Sequence, residues 1–140
     1  MNIKEDFFSF NGRIRRSTYF IRIVALFILL IILSFFIGVI GAVLNSGNLY
    51  FTEIFFILLV IIYLIAYIVQ DVKRLHDLDS SGIWIILRFI PIISLIFSFY
   101  LLLADGTVGP NQYGEDPKGR TPQNPQYTSN QEDETRYQWK

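Results

Sequence analysis

The chain has 140 residues, 52% of them hydrophobic and only 17% charged, and its 12 basic and 12 acidic side chains cancel to zero net charge. That length allows a single domain, and the charge content falls well below the roughly 25% of an ordinary soluble chain. With no cysteine present, disulfides, thiolate metal sites and thiol catalysis are excluded.

Charge is unevenly placed. Residues 1–22 carry five basic and two acidic side chains, and residues 105–140 carry four basic and six acidic. The N-terminal segment mixes Phe7, Phe8, Phe10 and Ile14 with Arg13, Arg15 and Arg16, and Asn11-Gly12 is a turn signal that divides it. Shallowly buried rings beside guanidinium groups suit the headgroup layer of a bilayer. The plainer reading is a basic flank that sets membrane orientation. Arg15-Arg16 ahead of an apolar run resembles a twin-arginine export signal. A cleavable signal, however, has an apolar core of about 7–15 residues and a small-residue cleavage site. Here Ile23 to Leu44 runs uncharged for 22 residues and ends without an A-x-A pattern, so it is expected to stay as an anchor.

Three spans are predicted, at Ile23–Leu44, Leu49–Gln70 and Ile83–Ala104. As helices each would be roughly 33 Å long, enough for a hydrocarbon core of roughly 30 Å. Helix is favoured over strand because the runs do not alternate, and because backbone in lipid must satisfy its own hydrogen bonds. The expected fold class is all-α: an integral membrane protein of about three transmembrane helices, with a membrane domain over residues 5–117 and a disordered polar tail over 118–140.

In the first span Ser34, Gly38 and Ala42 stand four residues apart, a small-residue face on which another helix can pack closely, or else a chance placement. Asn45 to Asn48 makes an uncharged turn. In the second span Glu53 lies one turn inside the start and reads as an interfacial acid. The third carries Trp84, Arg88 and Pro91. Arg88, five residues in, is expected to snorkel back to the preceding loop, with pairing to Asp77 or Asp79 as the next reading.

Basic residues near span ends set topology. Lys4, Arg13, Arg15, Arg16 and Arg22 flank the first span, and Lys73 and Arg74 lie in the 70–82 loop. The N-terminus and that loop are therefore expected in the cytoplasm. Three full spans leave the tail outside. The alternative is a re-entrant hairpin broken at Pro91, which returns the tail to the cytoplasm.

The stretch from Gln70 to Trp84 is the only densely charged island between the apolar runs, and it holds the sole histidine, His76, beside Arg74, Asp77 and Asp79. A metal site would need three or four converging ligands, and one histidine without cysteine leaves carboxylates to supply the rest. A structural loop explains more of its residues. Lys73, Arg74 and His76 complement the dipole at the end of the second helix, Asp79, Ser80 and Ser81 are N-caps for the third, and Gly82 eases the turn. No catalytic, cofactor or metal residue is assigned. Gly109 to Gly114 has the glycine spacing of a phosphate loop, but Glu115-Asp116 follow where Lys and Ser or Thr are required. No motif for nucleic-acid recognition is present.

Four pieces occur in order: FNGRIRRSTYF (Phe10–Phe20), DVKRLHDLDSSGIW (Asp71–Trp84), an apolar run centred on Pro91, and GTVGPNQYGEDP (Gly106–Pro117). Together they resemble the small bacterial inner-membrane proteins of the domain-of-unknown-function family 805, DUF805. The chain departs from that family's pattern at Ile83, before Trp84, and at Asp79-Ser80, where glycine often precedes Ser-Gly. The resemblance implies a multi-span protein of the bacterial inner membrane and carries over no activity. It points to three membrane–water junctions, Gly12-Arg13, Arg74 to Gly82 (with His76, Asp77 and Ser81) and Asn111 to Gly114; Arg16 and Arg88 join them as candidate residues from the sequence itself.

The leading functional expectation is a non-enzymatic membrane protein whose cytoplasmic junctions bind anionic lipid headgroups or a partner protein through Arg13, Arg15, Arg16, Arg74 and Arg88. A transporter or channel subunit is the alternative, a homo-oligomer packed through Ser34, Gly38 and Ala42. A metal-dependent membrane enzyme centred on His76 and Asp77 is the third reading.

Overall fold

A computed structural model describes residues 7–44 and 50–122. In chain order it has helix α1 (Arg16–Leu44), helix α2 (Tyr50–Asp77), a 3-10 helix (Gly82–Phe89) and helix α3 (Pro91–Leu103). Among the described residues there is no β-strand, only an isolated bridge between Asn111 and Gly114. The fold class is all-α, as the unalternating apolar runs require. The turn at Asn45–Asn48, Lys4, and the tail beyond residue 122 lie outside the described residues.

Helices α1 and α2, of 29 and 28 residues, are each roughly 42 Å long. By length and composition both are apolar enough to cross a membrane. They run antiparallel, since Arg22 stands opposite Gln70 at one end and Gly41 opposite Thr52 at the other. Along its most apolar 18 residues no side chain of α1 is buried within the chain, and large side chains such as Phe35 and Val43 are exposed. In water that surface would far exceed the patch a soluble monomer tolerates; hydrocarbon covers it.

Close approach of α1 and α2 comes through Gly41 rather than through the predicted small-residue face. A Cβ on Gly41 would fall 2.3 Å from the Thr52 Oγ1, whereas Gly38 has nothing within 4 Å. Of the predicted face only Ser34 is partly covered, and Gly38 and Ala42 are exposed. The helix period explains the shift: Ser34 and Gly41 are seven residues, about two turns, apart, so they share a face that Gly38 and Ala42 rotate away from.

The stretch expected as one span from Ile83 to Ala104 is in two pieces. The chain runs as a 3-10 helix to Phe89, breaks at Ile90 (φ −101°, ψ 111°) and restarts at Pro91, the first residue of α3. Proline is the cause. Its ring disfavours helical geometry at the preceding residue, while at the first helical position its missing N–H is no loss. The two pieces fold back on each other as a hairpin, and α3 ends where α2 ends.

The protein's own core is small and lies at that end. Ile14, Tyr19, Leu75, Phe97 and Leu101 form it, with one or two side chains from the N-terminal segment and each of the three α-helices.

Candidate functional site

The site begins at Gly12, whose φ of 91° is left-handed and suits glycine. It turns the chain so that Arg13 points inward, and the Ile14 amide donates to the Lys73 carbonyl at 3.4 Å. Arg13 then ties the N-terminal segment to two distant ones, the end of α2 and the loop after α3. Nε and Nη2 donate to Asp77 Oδ1 at 3.3 and 3.2 Å, Nη1 to the carbonyls of Gly109 at 2.8 Å and Gly114 at 3.2 Å, and Nη2 to the Thr107 carbonyl at 2.8 Å and hydroxyl at 3.1 Å. A planar fork of five N–H donors is suited to such work; a lysine could not satisfy so many acceptors at once.

Arg74 completes the arrangement from α2. Nε donates to the Leu101 carbonyl at 2.8 Å, Nη2 to the Ala104 carbonyl and Nη1 to Asp77 Oδ2. The guanidinium therefore caps the last carbonyls of α3, where a cation also complements the helix dipole. From its position in the chain Arg74 is expected to serve the end of α2 itself; it serves α3 instead. Asp77 is shared between Arg13 and Arg74, and its own carbonyl accepts from the Thr107 amide at 2.9 Å. The loop passes so close that a Cβ on Gly106 would lie 2.1 Å from Asp77 Oδ2.

His76 and Asn111 fasten the same three segments from outside. The imidazole stacks on Tyr113, centroids 3.8 Å apart and 3° from parallel. Its Nδ1 lies 3.3 Å from the Gly12 carbonyl, a contact that needs the proton on Nδ1. Asn111 Nδ2 donates to the His76 carbonyl at 2.9 Å and the Thr107 hydroxyl at 3.2 Å. Between α2 and the 3-10 helix, the Asp79 amide donates to His76 and the Ser80 amide to Leu75, at 3.1 and 2.9 Å. That is a Schellman ending, with Asp79 at φ 54° in the place glycine usually takes. Ser81 accepts from the Ile83 amide at 3.4 Å and so caps the 3-10 helix, and Gly82 packs on Val72, 3.0 Å from a would-be Cβ.

Arg88 is placed differently from either expectation. It does not snorkel to the loop and does not meet Asp77 or Asp79; Nε and Nη2 donate to Asp71 Oδ2 at 2.9 and 2.6 Å. Nη1 donates to Ser98 Oγ, and the guanidinium lies over the rings of Tyr67 and Phe97. The Tyr19 hydroxyl donates to Asp71 Oδ1 at 2.8 Å. Tyr19, Asp71, Arg88 and Ser98 thus come one each from α1, α2, the 3-10 helix and α3. The turn after α2 lays Arg88 alongside Asp71, and the break at Pro91 folds α3 back so that Ser98 reaches the same guanidinium.

The loop after α3 has its own clip around Asp116. It accepts from the amides of Gly109 at 3.3 Å and Lys118 at 2.8 Å and from Arg120 Nε at 2.8 Å, while Arg120 Nη2 donates to the Gly106 carbonyl at 2.9 Å. Burial pushes the Asp116 carboxyl up, but the Arg120 guanidinium and the two amides outweigh it and bring it down to about 2. A hydrogen bond from Lys118 holds Asp105 below the usual carboxylate range. Residues 118–122, assigned to a disordered tail by composition, carry part of this clip.

Among the described residues no three His, Asp or Glu side chains gather as metal ligands. The Ser80 hydroxyl donates to the Leu78 carbonyl at 3.3 Å, and Ser81 is a cap. The expected basic patch is divided. Arg13, Arg74 and Arg88 are internal, with side chains 1%, 0% and 17% exposed, and Arg15 and Arg16 are on the surface. Tyr19, Gly106, Thr107 and Arg120 carry no signal in the sequence as members of the site, and Asp71 reads there only as a further carboxylate beside the His76-Asp77 pair. A carboxylate at Asp71, directly abutting an apolar run, was the one available signal.

A family model described as "Protein of unknown function (DUF805)" matches residues 7–115. The chain is similar to the inner membrane protein YhaI of Escherichia coli (strain K12), 31% identical over 123 residues that cover 84% of this chain and 93% of that protein. It is also similar to the inner membrane protein YhaH of Escherichia coli (strain K12), 33% identical over 123 residues, 84% and 94% of the two chains. No solved structure matches.

Proposed function

Since this chain belongs to the DUF805 family of proteins of unknown function, we propose that it is a non-enzymatic multi-pass protein of the inner membrane whose cytoplasmic end rests on anionic lipid headgroups. The observation that supports this reading is the meeting of three junctions around Arg13, Asp77 and Arg74. Those charges are consumed by internal partners, which suits holding elements together rather than turning over a substrate.

In this reading the 3-10 helix and α3 are a re-entrant hairpin. Their 8 and 13 residues reach about 16 Å and about 20 Å, each short of a hydrocarbon core of roughly 30 Å. The chain leaves and returns on one face, so residues after Ala104 stand on the same side as the N-terminus. Arg13, Arg15, Arg16, Lys73 and Arg74 gather there, and the positive-inside rule makes that side cytoplasmic. The exposed Arg15 and Arg16 then lie at headgroup level, with the exposed Phe8 and Phe10 as shallow anchors beside them. Each such arginine is worth about 1 kcal/mol near an anionic leaflet.

A reporter fused to Lys140 should be active as a cytoplasmic fusion and silent as a periplasmic one; the reverse result refutes the hairpin topology. Phosphatidylglycerol added to detergent micelles should raise the thermal midpoint more than phosphatidylethanolamine does, and the difference should shrink in an Arg15→Gln/Arg16→Gln chain. Equal stabilisation by the two lipids refutes the headgroup reading.

A further inference from the structure

Beside the hairpin lies an apolar cleft of about 370 Å³, bounded by the 3-10 helix, α3 and the end of α2. Its floor is the protein's own core, Leu75 and Phe97, and its outer wall is Ile93 and Ile96 of α3. Ser80, Trp84, Leu87 and Tyr100 complete it. We infer that this cleft is a phospholipid site that seats one acyl chain between the two arms of the hairpin.

The lining is graded along its length. Ser80 precedes the 3-10 helix, Trp84 opens it, and Tyr100 is one turn from the end of α3, so all three polar-tipped side chains stand at the junction end. Ile93 lies deeper, seven residues or about 10 Å further along α3. Tryptophan and tyrosine favour places where one end is apolar and the other wet, and a glycerol ester at that level would meet their donors. Below it the cleft offers hydrocarbon only.

The wall is also continuous with the surface that the bilayer covers. Ile96 is 65% exposed and belongs to the same outward apolar belt as Ile92 and Leu95. An apolar cavity holds no water, and an unfilled one forfeits dispersion contacts along its whole lining. In a membrane the molecules at its mouth are acyl chains. The inference rests on the chain's being a membrane protein and is independent of the headgroup contacts of Arg15 and Arg16.

Native mass spectrometry of the full chain, released from detergent after exchange from phosphatidylethanolamine–phosphatidylglycerol micelles, tests it. Wild type should retain one phospholipid per chain. Filling the cleft with Ile96→Trp, or with Ile93→Phe as a second and smaller change, should lower the lipid-bound fraction at least tenfold. Ile57→Trp, on the outward face of α2, should leave it unchanged. Retention equal in the filled and unfilled chains overturns the inference, as does a wild type that carries no lipid. The chain has no cysteine, so Ile96→Cys gives a single thiol; a disulfide-linked dimer formed through it would assign the cleft to a second copy and overturn the inference too.

Discussion

Asp71→Ala tests whether a buried ion pair fastens the hairpin. Asp71 is fully buried and holds Arg88 through two hydrogen bonds and Tyr19 through a third. Its removal leaves a guanidinium with only Ser98 and two aromatic faces, and takes away the carboxylate to which the Tyr19 hydroxyl donates. Removing one partner of a buried pair costs about 3–5 kcal/mol; because Arg88 retains some exposure, the lower end, about 3 kcal/mol, applies. Replacing the whole group by apolar residues behaves otherwise. A Tyr19→Phe/Asp71→Leu/Arg88→Met chain buries no orphaned charge, and such exchanges are often neutral or better, so its loss should stay within about 1 kcal/mol. Unfolding in mixed micelles by titration with a denaturing detergent, followed by helix content, supplies both numbers. Labelling of a thiol at Leu87→Cys should also accelerate in the Asp71→Ala background as the hairpin loosens. An Asp71→Ala loss under 1 kcal/mol, or a triple variant as unstable as the single one, would refute the ion-pair reasoning.

Three other outcomes follow from particular contacts. Gly106→Ala should destabilise by about 1–3 kcal/mol, as overpacking does, because its methyl would meet Asp77, which Arg13 and Arg74 hold from both sides; the same unfolding titration reads it, and a neutral result would mean the loop is free to move. Asp79→Gly should stabilise by roughly 0.5–1 kcal/mol by relieving a side chain at φ 54°, seen as a higher thermal midpoint; a lower midpoint refutes it. Acid should open the 105–120 loop through Asp116. Its carboxyl is lowered from 3.8 to about 2, so its contribution is complete above pH 4 and is lost as pH falls towards 2; limited proteolysis with an acid-active protease should accelerate across that window in wild type and be fast throughout in Asp116→Asn.

Much of the site was legible as residues and little of it as geometry. Gly12, Arg13, Arg74, His76, Asp77, Asn111 and Gly114 were singled out, and all of them meet. Yet sequence position places Arg74 and His76 at the service of their own helix end and Arg88 near the loop, whereas Arg74 caps α3, His76 meets Gly12 and Tyr113, and Arg88 pairs with Asp71. Ser34, Gly38 and Ala42 drew attention by spacing, while the contact fell to Gly41, because which face of α1 meets α2 depends on where Thr52 stands across the interface. Residues 118–122 were lost to composition, which does not register that Arg120 has a carboxylate four residues back.

What sequence determined by itself is the solvent. Runs of apolar residues long enough to cross hydrocarbon are a local property, and backbone hydrogen bonding within each run then makes them helices. What only the tertiary structure decided is how the charges are used. Arg13 and Asp77 are 64 residues apart and Arg88 and Asp71 are 17 apart; the first pair needs the N-terminal segment packed on α2, the second needs the turn between α2 and the 3-10 helix, and the break at Pro91 then brings Ser98 to Arg88. The charged island from Gln70 to Trp84 is thereby a clamp on both sides of itself, closing on the N-terminal arginine at one edge and on the hairpin at the other.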